Sequence, residues 1–126
     1  MKRAWIALAI LCAVFAAALY NGYVLRGFTE ELTGLLTLAQ TQAEHDAWNE
    51  ADELTRAAAE KWEAQDAYLH VTLRHADTDS IYTSFREVVE FLDSREQGEY
   101  SAANARLIAL IELLNESEQL TLKNIL

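Results

Sequence analysis

Proline is absent from this chain of 126 residues, and only four glycines occur. Beyond Gly27 just Gly34 and Gly98 remain. Tight hairpins are starved of their usual residues, which disfavours a fold of short strands and favours helix. Cysteine is nearly missing as well. Cys12 has no intrachain partner, so packing rather than a disulfide must hold the fold. Positive charge is scarce, with ten Lys and Arg against twenty Asp and Glu. Three of the ten, Lys2, Arg3 and Arg26, come early, so residues 27–126 hold seven bases and all twenty acids, a net −13. Such a charge repels nucleic acid and anionic headgroups, and leaves cationic peptides, basic protein surfaces or divalent cations as partners. Reactive motifs are missing too. The chain has no Gly-rich phosphate loop, no G-x-S-x-G, no Cys–His pair and no H-E-x-x-H. The serines at 80, 84, 94, 101 and 117 have no evident base partner.

What the chain does have is an apolar run over residues 4–25, broken only by Asn21 and Gly22 near its end. As a helix it rises about 33 Å, enough for a hydrocarbon core of roughly 30 Å. Tyr20 and Tyr23 stand where interfacial aromatics belong, and Lys2, Arg3 and the amino terminus outweigh the single Arg26 behind. The expectation is a cytoplasmic tail (1–3), a transmembrane anchor (4–25) and an extracytoplasmic domain (27–126). The rival reading is a signal cut near Ala18, with Ala16, Ala17 and Ala18 as the small-residue site; a buried hairpin in a soluble protein is a third. Leu11 before Cys12 is too bulky for lipoprotein processing.

Thirty of the residues after position 26 are large and apolar, sufficient for one modest core. They fall into four amphipathic segments. The first carries Phe28, Leu32, Leu35, Leu36, Ala39 and Ala43, either continuing the span or starting afresh at a Thr29 cap. A second, with Asp46 as N-cap, carries Trp48, Ala51, Thr55, Ala58 and Trp62, a narrow aromatic seam. The third covers residues 68–95 with Val71, His75, Thr78, Ile81, Tyr82, Phe85, Val88, Val89 and Leu92. The fourth follows Gln97 and Gly98 with Tyr100, Ala103, Leu107, Leu110, Ile111 and Leu114, and Ile108 and Leu113 widen its apolar face. Short connections predict an all-α protein: a transmembrane helix followed by an up-down antiparallel bundle of three or four helices.

Two resemblances follow. His45 to Leu54, with Ala58, resembles the second helix of a tetratricopeptide repeat; it covers residues 31–62 and has no second copy, as a solenoid would require. Phe28, Thr29, Glu30, Glu31 and Leu32, the Trp48, Ala51 and Trp62 seam, Leu69 with Arg74, His75 and Asp79, and the closing residues 120–126 are similar to a bacterial single-span family, domain of unknown function 4363. That likeness spans nearly the whole chain and implies a single-span helical protein with no assigned activity or catalytic residue.

His75 and Asp79 lie four apart on one helical face, near Arg74, and the tail is expected to seal the cluster through Asn124. A carboxylate beside an imidazole orients the ring and favours its charged form. A metal would need a third ligand, such as Glu112, Glu116 or Glu118, and the Glu-x-x-His pattern of di-iron bundles is missing. The cluster (Arg74, His75, Asp79, Asn124) therefore reads as a polar core or docking cluster, and Trp48 and Trp62 as packing residues. Catalytic, metal and cofactor sites are all expected to be absent. Asn115, Glu116 and Ser117 form a glycosylation triplet of a kind common by chance. The expected function is a non-enzymatic, membrane-anchored interaction or scaffold domain working with an envelope or membrane protein. The alternatives are a ligand- or cation-sensing bundle acting through a membrane partner, and an envelope hydrolase using His75 and Asp79.

Overall fold

The computed structural model describes residues 1–65 and 75–125, except for the side chains of residues 75–77 and 118–125. The described residues form four helices and no strand: α1 (Lys2–Glu44), α2 (Trp48–Ala64), α3 (His75–Ser94) and α4 (Gln97–Ile125). The all-α bundle expected from the hydrophobic periodicity is the observed fold. Residues 66–74, the start of the third predicted segment, lie outside the described part.

Helix α1 is one uninterrupted rod of 43 residues, about 65 Å long. Its buried positions, Gly22, Leu25, Thr29, Leu32, Leu36, Ala39 and Ala43, step alternately by three and four. This is the spacing that keeps one seam facing a neighbour. Thr29 does not start a new helix. Its hydroxyl donates to the Arg26 carbonyl at 3.0 Å, a back-bond within the helix that leaves no orphan amide for it to cap.

Helix α2 answers with Ala51, Thr55, Ala58 and Trp62, all buried. Alanines on both helices permit close approach, and Lys61 reaches Glu31 at 2.6 Å across the joint. Helix α4 packs on both α1 and α3 and buries Tyr100, Ala103, Asn104, Leu107, Ile111 and Leu114. Helix α3 adds Thr78, Ile81, Ser84, Phe85, Val88 and Leu92 and lies mainly against α4. Fully burying each of the large apolar side chains contributes about 1.5–3 kcal/mol. Among the described residues α2 meets α3 only sparsely, so the ring of four is loosely closed along that seam.

Two connections turn without glycine. Asp46 has φ 60° and Arg95 has φ 53°. The Asp46 amide donates to Ala43 at 3.0 Å and the Ala47 amide to Gln42 at 2.9 Å. Arg95 donates to Leu92 at 3.1 Å, and Glu96 to Phe91 at 3.2 Å. Both are Schellman stops, each with a non-glycine residue in the left-handed position. The expected Asp46 N-cap is thus corrected: Asp46 ends α1, while Ala47 precedes α2 and makes no side-chain cap bond. Gly98 sits inside the first turn of α4, and Arg95 supplies the reversal.

Candidate functional site

The proposed polar cluster is only partly in view. Arg74 and the side chains of His75 and Asn124 lie outside the described residues. Asp79 is exposed on α3 and has an interaction partner. Among the described residues no three of His, Cys, Asp and Glu gather closely enough to hold a metal.

The two seam tryptophans have different surroundings. Trp62 is 1% exposed, stacked on Phe28 with centroids 6.2 Å apart and tilted against Phe85 at 6.4 Å. It cannot act as an open platform for a sugar or peptide. Trp48 is half-buried and meets Tyr100 edge-on at 6.1 Å.

A polar cluster not foreseen from the sequence lies at the far end of the bundle, between α1, α2 and α4. Asn104 is fully buried, and its Nδ2 donates to the Leu36 carbonyl at 3.0 Å and to Gln40 Oε1 at 3.1 Å. Thr55 donates to the Ala51 carbonyl at 2.9 Å. The Tyr100 hydroxyl is buried without a well-formed hydrogen bond. Burial pushes its pKa up to about 12, partly offset by the nearby Thr55 and reinforced by the Glu44 charge. The available signal for Asn104 was positional: it falls four residues after Tyr100 and three before Leu107. These groups are desolvated and fix helix positions. A phenol held neutral in this way is a poor base at ordinary pH.

The open seam between α2 and α3 forms a groove of about 480 Å³. Trp62 and Phe85 floor it, Ala59, Val89 and half-exposed Tyr82 wall it, and Arg56, Glu60, Glu63, Arg86 and Glu90 rim it. Arg56 is already engaged, with Nε 2.8 Å from Asp52 and Nη2 4.0 Å from Asp93. The hydrogen bond to Asp52, then its charge, raises the Arg56 pKa further. Three rim glutamates therefore face Arg86, and the groove offers an apolar floor under a net negative edge.

The other conspicuous surface is the start of α1. An 18-residue apolar window there has no buried residue. Among the described residues, the large exposed apolar side chains lie almost entirely before Leu25; only Leu38, Tyr82 and Leu113 lie beyond it. Such a rod is compatible with a single-pass anchor or a signal sequence.

The family described as domain of unknown function (DUF4363) matches residues 19–125. The chain belongs to this family. No curated protein and no solved structure matches the chain.

Proposed function

We propose that this DUF4363 member is a non-enzymatic, membrane-tethered interaction protein, with its amino terminus cytoplasmic and its acidic bundle outside. The continuity of α1 is the observation that carries this reading. One helix is exposed and apolar at its start and buried in the bundle core from Gly22 onward, so anchor and domain share a rod with no linker. The excess of Lys2 and Arg3 over Arg26 supports the orientation.

The partner is a membrane protein presenting a basic amphipathic helix to the α2–α3 groove. An apolar floor suits the helix's greasy face, and Glu60, Glu63 and Glu90 suit flanking Lys or Arg. A photocrosslinker at Tyr82, used on intact membranes, tests this. One defined membrane species should be captured, and Glu60→Lys with Glu90→Lys should abolish its capture. Recovery of uncrosslinked monomer alone, or capture indifferent to those charge reversals, would refute the groove as the docking site.

A second reading is export followed by cleavage near Ala18. The family match starts at residue 19 and full burial at Gly22, so cleavage there would spare the core. Sequencing the mature amino terminus separates the two readings.

A further inference from the structure

The bundle and the apolar rod overlap in height. Helix α4 runs antiparallel to α1: Tyr100 near its start packs on Trp48 just past the end of α1, and Asn104 bonds to Leu36 and Gln40. Each residue along α4 therefore moves about one residue back along α1, since both rise about 1.5 Å per residue. Counting from Asn104, or from the shallow cleft that sets residues 105–112 against 37–44, places Ile125 level with residues about 17–24 of α1. That is inside the apolar run of residues 4–25.

Two independent observations agree with this placement. The far end of the run is already covered on one side. Ala18 and Asn21 are half-buried and Gly22 and Leu25 buried, while residues 4–17 are exposed throughout. The charges also switch at a common plane. On α1 the first acid is Glu30, and on α4 the last is Glu118, which the same register sets level with residues about 24–31. Beyond that plane the two helices carry only Arg26 and Lys123 near the boundary, and α4 continues with Leu120, Leu122 and Ile125. Helix α2 ends at Ala64, and Gln65 lines a cleft with Tyr23 and Val24, so α2 stops at the same height.

We infer that the last two turns of α4 form a second membrane contact, lying in the headgroup–acyl boundary of the bilayer that anchors α1. Apolar residues flanked by a lysine, with no acid, are the composition that such a boundary takes. The acidic body is thereby held directly on the membrane and oriented, so it cannot swing on a flexible stalk. The inference rests on the anchor reading above, and its test separates the two.

Single-cysteine variants Leu120→Cys, Leu122→Cys and Ile125→Cys are made in a Cys12→Ser background and spin-labelled. Leu113→Cys, exposed on α4 above the plane, serves as the aqueous control, and Val14→Cys as the bilayer control. The full chain is reconstituted in phosphatidylethanolamine–phosphatidylglycerol vesicles, and collision with oxygen is compared with collision with a water-soluble nickel chelate. Three label positions keep the test alive if one variant fails to fold. At 120, 122 and 125 the oxygen-to-nickel ratio should be severalfold above that at 113 and approach that at 14. Nickel access matching position 113 would overturn the inference, as would low access to both reagents, which would mean protein rather than lipid covers the helix. If position 14 is itself water-accessible, the anchor reading falls first.

Discussion

Asn104 of α4 donates its amide nitrogen to the carbonyl of Leu36, a residue 68 positions earlier on α1, at 3.0 Å. The same nitrogen donates to Gln40 Oε1 one turn further on. A polar side chain inside an apolar interface is costly unless partnered, and these two bonds are available at one helix register only. Asn104 Oδ1 stays buried without a partner, so satisfaction is incomplete.

Asn104→Ala should lower unfolding stability by about 2–3 kcal/mol, combining two lost bonds with a cavity. Asn104→Leu restores volume and removes the orphan oxygen, and should fall within about 1 kcal/mol of the parent. Urea unfolding of the full chain in micelles, read by tryptophan fluorescence, measures both. Equal losses for Ala and Leu would show that the hydrogen bonds, and not the volume, dominate.

Tyr100 makes stability depend on alkaline pH. Its folded pKa is about 12, while the unfolded phenol titrates near 10. Below pH 10 both states keep the proton, so this contribution is intact. Between pH 10 and 12 the unfolded state ionises first and stability falls, by roughly 2 kcal/mol at the upper end. Tyr100→Phe should remove that slope without destabilising the protein at neutral pH, because the hydroxyl it deletes is buried without a good bond. Melting temperatures across pH 8–12 for both proteins provide the check.

How far the fold could be read in advance depended on which force decided each position. Where burial decides, the period was sufficient: Leu32, Leu36, Ala39 and Ala43 on α1 and Ala51, Thr55, Ala58 and Trp62 on α2 all lie in the core. Tyr82 and Leu113 fall on the apolar faces that the spacing predicts yet are exposed, because those faces are wider than the surface a neighbouring helix covers. Asn104 is not marked as a core residue by its polar side chain, although it lies on the apolar stripe of α4. Asp46 departs from its expected N-cap role for a different reason. An aspartate before a helix has the chemistry of an N-cap, and only backbone geometry shows that it instead ends α1 in the left-handed region. Of the candidate site, the role of both tryptophans could be argued from spacing. The α2–α3 groove could not, since it depends on which helix pairs pack tightly.

The two left-handed stops offer a direct gain. Asp46 and Arg95 each hold a positive φ, which an L-residue with a Cβ occupies at a cost of about 1–2 kcal/mol and glycine does not. Arg95→Gly should therefore raise stability by about 1 kcal/mol, and Asp46→Gly by a similar amount. The sites are far apart along the chain and share no bond, so the double variant should be close to additive. Thermal unfolding of the singles and the double decides this. A loss at either site would show that the side chain contributes more than the backbone strain costs.

The most sensitive position in the bundle is Trp62, because three helices meet on its ring. Phe28 of α1 stacks on one face at 19° and Phe85 of α3 approaches at 34°. Trp62→Ala should cost about 3–5 kcal/mol, a large fraction of the stability of a small domain. Trp62→Phe keeps an aromatic but loses volume and should cost less, leaving the fold intact. The stacking itself is measurable separately. In a double-mutant cycle with Phe28→Leu and Trp62→Leu, the coupling should be about 0.5–1.5 kcal/mol if the ring pair contributes beyond its buried area. Zero coupling would assign the whole effect to area. Because Phe28 stands on the same rod that carries the apolar run, a real coupling would also mean that a shift of the anchor changes the Trp62 environment, which its fluorescence would report.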